Sequence, residues 1–289
     1  ITGFDNYWDN IGEMRNKGWE ANIQTVNFSR GDFVWTTNLN LYHYTNEITE
    51  LYNGEDIQDF PFVLREGESY NTFYLRDWAG VNPENGHGQW YVIEDGQRVD
   101  NDGDGKKDIT ENVFEAARTV VGSSDPDLAG SLNNSLTFKG LDFSFLVSFQ
   151  LGGESYFDMA PYFWDDGANL YTPVTQAAYD NRWQGPGDEA TFPKPVYSNP
   201  QSTHFNSSRR LHDASYMRLK NLTLGYTLPM AVTQKAKINR LRFYATGVNL
   251  LTWAAYGQYD PETSVRGIGM RNADFPPMRT FSVGIEMNF

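Results

Sequence analysis

Residues 279–289, RTFSVGIEMNF, alternate without a fault: Phe281, Val283, Ile285, Met287 and Phe289 are apolar, and Thr280, Ser282, Gly284, Glu286 and Asn288 fill the places between them. A strand points successive side chains to opposite faces, so this segment has one wholly apolar face and one polar face. Its length suits the roughly 9–11 residues that a tilted strand needs to cross a bilayer. Two architectures accept such a strand. One is the edge of a soluble β-sandwich, apolar face inward; the other is the wall of an outer-membrane β-barrel, apolar towards lipid and polar towards a lumen.

The same alternation recurs along the chain. Residues 18–29 and 33–44 form two strand-like runs around Arg30, Gly31 and Asp32, a hairpin signal. Residues 131–138 and 141–151 repeat the arrangement around Lys139-Gly140; Leu141, Phe143, Phe145, Val147, Phe149 and Leu151 share one face of the second run. Residues 214–228 read as a further strand whose apolar phase slips between Met217/Leu219 and Leu222/Leu224, which predicts a bulge near Asn221. A turn over 229–239, a strand over 240–253 and the closing segment complete a set of about seven strands. Short turns alternate with three long Gly-, Asp- and aromatic-rich regions, near 45–130, 152–213 and 254–278. Placing Phe289 on the periplasmic side puts every short turn there and every long loop outside, the asymmetry of outer-membrane barrels. A sandwich has no reason to sort its loops in that way.

Composition agrees. Aromatic residues are 15% of the chain, which interface girdles of a barrel account for, as would a carbohydrate-binding surface. No run of about 18 apolar residues is present, so no transmembrane helix is expected. A net charge of −14 with no basic stripe excludes a nucleic-acid partner, and the absence of cysteine excludes disulfides and thiolate metal sites. The chain opens ITGFDNYWDN, with neither an initiator Met nor a signal peptide, and is expected to be a piece of a longer protein.

Several blocks, in order, resemble the SusC/RagA family of TonB-dependent outer-membrane transporters of Bacteroidetes. They are NKGWE (16–20), GVNPENG (80–86), RWQGPGDEATFP (182–193), ASYMRLKNLTLGYTLP (214–229), LRFYATGVNLLTW (241–253), YDPE (259–262) and FPPMRTFSVGIEMNF (275–289). The resemblance implies that residues 1–289 are the carboxy-terminal part of an all-β, antiparallel transmembrane barrel of about 22 strands. The plug domain, the TonB-contacting segment and the signal peptide would lie outside this chain. It further implies uptake of glycans or oligopeptides in the outer membrane, with a SusD-like surface lipoprotein on the extracellular loops and energy relayed by the TonB complex. The rival reading is a soluble, calcium-stabilised β-sandwich that binds glycans.

The sharpest local motif is DNDGDGKKDITE (100–111), which fits the EF-hand calcium loop. Asp100, Asp102 and Asp104 would give carboxylate oxygens, Lys106 its carbonyl, Asp108 a direct or water-bridged oxygen, and Glu111 the bidentate closing group. Lys107 stands where such loops place an aliphatic anchor, and a solvated acidic loop tip is the alternative. A bound Ca²⁺ would order a loop rather than catalyse. Catalysis itself finds little support: His43, His87, His204 and His212 are scattered, and the acidic pairs Asp165-Asp166 and Asp188-Glu189 read as solvated loop charges. No enzyme is expected. Candidates for ligand or partner contact are the loop aromatics Trp78, Trp90, Tyr91, Tyr162, Trp164, Tyr171 and Trp183, whose faces suit sugars and protein partners alike. Phe289 resembles the terminal aromatic signal read by the barrel-assembly machinery.

Overall fold

The computed structural model describes residues 12–164, 166–169, 171–262, 269–271 and 275–289. Seven antiparallel strands form one sheet in chain order: β1 (Gly12–Arg30), β2 (Phe33–Leu51), β3 (Leu128–Phe138), β4 (Leu141–Leu151), β5 (Tyr216–Thr227), β6 (Arg240–Ala254) and β7 (Thr280–Asn288). Each strand pairs with its neighbours in sequence, as in an up-and-down barrel wall. Among the described residues no helix is long and apolar enough to cross a membrane.

Register makes the alternation of each strand into a continuous surface. One apolar row runs Trp35, Leu136, Phe143, Leu224, Ala245 and Val283 across six strands. Among the described residues no second sheet covers this face: Val283 is 87% exposed, and Phe281, Ile285, Leu224, Phe243 and Leu251 are exposed beside it. That removes the sandwich, whose apolar faces must pack on each other, and leaves the barrel wall. Among the polar residues on this face, Asn134 is internally satisfied, accepting hydrogen bonds from Trp35 Nε1 and Thr37 Oγ1, both at 2.8 Å. Phe28, Phe33 and Phe138 meet at the short-turn end, with centroids 5.5 and 6.3 Å apart, as part of an aromatic girdle. The opposite face is hydrophilic, with the row Thr36, Ser135, Ser144, Thr223, Thr246 and Ser282 as its middle.

The expected bulge is present. Between Leu219 and Asn221 the β5–β6 register shifts, pairing Leu219 with Leu251 but Asn221 with Val248. Lys220 is thereby released from the alternation.

The loop boundaries differ from the sequence reading. β2 continues to Leu51, and β3 begins at Leu128. Along residues 45–51 the ladder with β1 persists but alternation does not, because both faces there meet polar groups: Arg15 pairs with Glu47, and Asn46 donates to Asn16 at 2.6 Å. Nor are the long regions structureless. Residues 52–127 carry a four-stranded sheet (Ile57–Asp59, Phe62–Leu64, Thr72–Arg76, Arg118–Ser123) and a three-stranded one (Trp78–Val81, Gly88–Tyr91, Ile109–Thr110). Residues 154–157 pair with 211–213 and, in parallel, with 270–271 of the third loop. These pieces enclose apolar cores of their own, centred on Phe62, Phe73, Leu75 and Tyr156, on Trp90, Val113 and Ala116, and on Phe157, Ala160, Trp164 and Ala178. The loops form a folded layer at one end of the barrel wall.

Candidate functional site

The hydrophilic face and the loop layer meet in a chamber of about 610 Å³. Tyr42 and Tyr44 reach it from β2, Gln150 from β4, Tyr216 and Lys220 from β5, and Glu154 and Glu262 from the loops. All are residues that both fill space and hydrogen-bond, so the chamber suits a hydrophilic ligand rather than a lipid.

One wall of the chamber is fastened by an ion network. Arg218 of β5, 1% exposed, donates to Asp260 and pairs through Nη1 with Glu262 Oε2 at 2.6 Å. The bulge residue Lys220 donates to the same carboxylate at 2.6 Å, and the Tyr216 hydroxyl donates to Glu262 Oε1 at 3.1 Å. The Glu262 amide closes a tight turn on Asp260 Oδ1 at 3.0 Å. Two blocks that the sequence shows separately, YMRLK and YDPE, are thus halves of one construction. Only the partnering was invisible, since about forty residues separate its halves.

A second network ties the loops together. Arg209 and Asp166 form a buried pair, with Arg209 Nη2 donating to Asp166 Oδ1 at 3.0 Å and Thr203 Oγ1 donating to Oδ2 at 2.6 Å. The Arg209 guanidinium lies among Trp78, Trp164 and Phe192, at 5.1, 5.5 and 5.2 Å from their centroids. Asp166 is therefore a buried anchor rather than the solvated loop charge expected from the sequence, while Asp165 lies outside the described residues. Asp188 Oδ2 accepts from the Gln184 amide at 3.0 Å.

The expected calcium loop is only partly assembled. Asp100, Asp102 and Asp108 bring carboxylate oxygens within 4.8 Å of one another. Asp100 Oδ1 and Oδ2 accept from the Gly103 and Gly105 amides at 2.9 and 3.1 Å, and Asp104 Oδ1 accepts from the Lys106 amide at 2.7 Å. Glu111 departs from the expected closing role. It accepts from Asn82 (2.6 Å) and Asn85 (3.1 Å), and its Oε2 lies 2.6 Å from His87 Nδ1, which fixes it to the GVNPENG turn. Burial pushes its pKa up, but the bonds from Asn82, Asn85 and His87 outweigh that and hold it below the usual carboxylate range.

The seven aromatic candidates separate into groups. Trp90 (0% exposed) and Trp164 (5%) are core residues and offer no open face, because the loop layer has cores that need large side chains. Trp78 packs edge-on against Trp90, Tyr91 lies under Arg98 at 3.9 Å, and Trp183 donates to the Pro83 carbonyl at 2.8 Å beneath Lys194. Tyr171 (96% exposed) and Tyr162 (61%) are exposed on the surface, together with Tyr197 and with Tyr179, whose ring lies under Arg182 at 4.0 Å; sequence reasoning did not single out these last two. Phe289 is exposed just beyond β7. Of the histidines, His212 is stacked on Tyr256 with centroids 3.6 Å apart and planes 4° from parallel, and burial lowers its pKa to about 4.

No family model matches the chain. It is 30% identical over its whole length to the TonB-dependent receptor P3 of Formosa agariphila and 27% identical over 97% of its length to the TonB-dependent receptor SusC of Bacteroides thetaiotaomicron. Among solved structures it resembles the RagAB peptide transporter, with a TM-score of 0.84 and 26% identity over the whole chain. An 'open-open' state of the RagAB peptide importer gives a TM-score of 0.81 and 25% identity. These relatives are receptors and transporters, not enzymes. The chain spans about three-tenths of their length, covering 30% and 27% of the two receptors and 31% of the RagAB chain. With the barrel-wall register, the sorted loops and the ordered sequence blocks, these likenesses support the chain as a fragment of a TonB-dependent receptor of the SusC/RagA family.

Proposed function

We propose that this chain is the carboxy-terminal barrel part of an outer-membrane importer of hydrophilic oligomers, oligopeptides or glycans. The observation that carries the reading is a sheet with an uncovered apolar face whose hydrophilic face, under a folded loop layer, forms a polar chamber. A wall of this kind conducts rather than transforms. Residues outside the chain supply the plug and the TonB contact. The exposed Tyr162, Tyr171, Tyr179 and Tyr197 on the second loop suit the footprint of a SusD-like lipoprotein, since interface cores favour tyrosine. In this reading Asp100, Asp102 and Asp108 hold a Ca²⁺ that stiffens the first loop.

Two measurements test it. The full-length gene should be required for growth on, and uptake of, a defined oligopeptide or oligosaccharide pool, and the purified protein should bind that pool calorimetrically. Loss of the gene without effect on any uptake would sink the reading. For calcium, a chelator should raise protease sensitivity between Asp95 and Lys107, and D100N together with D102N should abolish the difference.

A further inference from the structure

Resting on the outer-membrane barrel part of the import reading, we propose that the lipid-facing side of β5, β6 and β7 binds an anionic glycerophospholipid of the periplasmic leaflet. One acyl chain lies in a groove over Ala245, and the phosphate sits among lysines of the short turns. The groove, of about 700 Å³, is walled by Leu224 and Tyr226 of β5 and by Val283 and Ile285 of β7. Register accounts for it: Leu224, Ala245 and Val283 stand side by side, so a single methyl group separates two larger neighbours. Leu141, paired with Tyr226, lines the end of the groove nearest the short turns. A dip in an apolar surface forfeits dispersion contact until something apolar and flexible fills it, and an acyl chain does so.

The turns beside the groove are the cationic end of an acidic chain. Arg30, Lys139, Lys235 and Lys237 stand there against Asp32 alone, although the chain carries a net charge of −14. All four cations are exposed. Arg240 and Arg242, by contrast, are answered on the hydrophilic face by Glu286 and Asp142. Lys139 Nζ lies 5.3 Å from the centroid of Phe138, a ring that register places on the apolar face between Phe33 and Leu141. This cation therefore stands on the lipid side of the rim. The Gly140 carbonyl accepts from the Thr227 amide at 2.8 Å, which joins the Lys139 turn to the end of β5. The connector that carries Lys235 and Lys237 also exposes Met230 (54%) and Val232 (58%), a mixture of apolar and basic groups that suits a bilayer interface.

Dimensions and charge choose the occupant. Leu224 lies about 10 Å of strand from Thr227, so the groove falls within one leaflet of a hydrocarbon core about 30 Å thick. With the short turns periplasmic, that leaflet is the periplasmic one. Tyr226, 37% exposed, stands between groove and lysines, at the level where tyrosine meets headgroups. A lipid joins phosphate and acyl chain in one molecule, which a free anion does not. A headgroup whose phosphate is already balanced by its own ammonium gains less from the lysines than one left with net negative charge. One basic residue near an anionic lipid surface is worth about fivefold in affinity.

The test is native mass spectrometry of the delipidated full-length protein, titrated with phosphatidylglycerol or with phosphatidylethanolamine of the same acyl chains. The first phosphatidylglycerol should bind about tenfold more tightly than the first phosphatidylethanolamine. K139Q combined with K237Q should remove the preference. A245L, which fills the groove and keeps the lysines, should weaken phosphatidylglycerol binding about fivefold. R30Q, about 20 Å round the rim from β6, should change nothing. Heat-modifiable gel mobility shows that each variant is a folded barrel before its lipids are read. Equal binding of the two lipids, or a preference that survives the double lysine variant, overturns the site. So does a loss in R30Q as large as in the lysine variant, which is diffuse attraction, or a loss with the lysines but none in A245L, which is capture of a soluble anion or an acidic protein. Each of these results leaves the import reading standing. Full-length protein that stays soluble without detergent sinks both.

Discussion

Replacing Arg218 by Met tests whether the ion network is what holds the start of the third loop on the barrel wall. The substitution keeps most of the volume and removes the charge. Losing one member of a buried ion pair costs about 3–5 kcal/mol, because the partner is left buried and uncompensated. The Asp260 and Glu262 side chains are 14% and 15% exposed, so water screens part of the loss. Glu262 also retains Lys220 and Tyr216. The lower end, about 3 kcal/mol, is therefore the expected local destabilisation. Hydrogen exchange of the full-length protein reads it directly, since local opening sets the rate of amides such as Ala255 and Glu262. A loss of about 3 kcal/mol should speed exchange over 254–262 by about 150-fold while β3 and β4 keep their protection. R218M combined with D260N should recover part of the loss, because removing both partners of a buried pair is far milder than removing one. Unchanged exchange over 254–262 in R218M would refute the reasoning, as would loss of protection across the whole sheet.

Acid should loosen the same corner by another route. His212 is held near a pKa of about 4 against 6.5 when unfolded, so its contribution is complete above about 6.5 and drains away as pH falls towards about 4. The total is about 3 kcal/mol, and protease sensitivity of the 211–213 and 254–262 segments should rise over that window in the wild type but not in H212F. Gly122→Ala should displace Glu154, because a Cβ there would fall 1.6 Å from its Oε2, and raise protease sensitivity of the loop layer, whereas Gly185→Ala, which meets no neighbouring atom, should leave it unchanged. Placing Lys at Val283, on the apolar face of β7, should lower stability in membranes by about 2–4 kcal/mol if that position lies near mid-bilayer, read by urea unfolding in vesicles. Deleting Phe289 should reduce the amount of full-length protein in the outer membrane on immunoblots; equal levels would remove its role in assembly.

The barrel wall was legible because lipid on one side and polar groups on the other force strict alternation. Leu141–Leu151 shows it most cleanly, with strand limits that match the sequence reading to the residue. The slip of phase near Asn221 announced the bulge for the same reason. Legibility ended where that constraint ended. Residues 45–51 extend β2 without alternating, and the loop-layer strands run from two to six residues, too short for any period to emerge. Trp90 and Trp164 read as contact residues because an aromatic in a long loop gives no sign, by itself, that the loop has a core. Arg218 and Glu262 were both in quoted blocks, yet a chain read in order holds no record of which distant charge answers which. Glu154 was passed over entirely, since an isolated Glu beside two glycines resembles any solvated loop residue.

Arg209 has a consequence for how the molecule can move. Its guanidinium touches Trp78 from the first long loop and Trp164 and Phe192 from the second, with Asp166 as counter-charge. A single cation thus rivets two segments that are separate in sequence. Neither can swing away alone without stripping a buried charge of its surroundings. Under the import function proposed above, cargo at this end of the wall would travel beside a two-loop block that stays put or shifts whole, and any gating movement would belong to other elements.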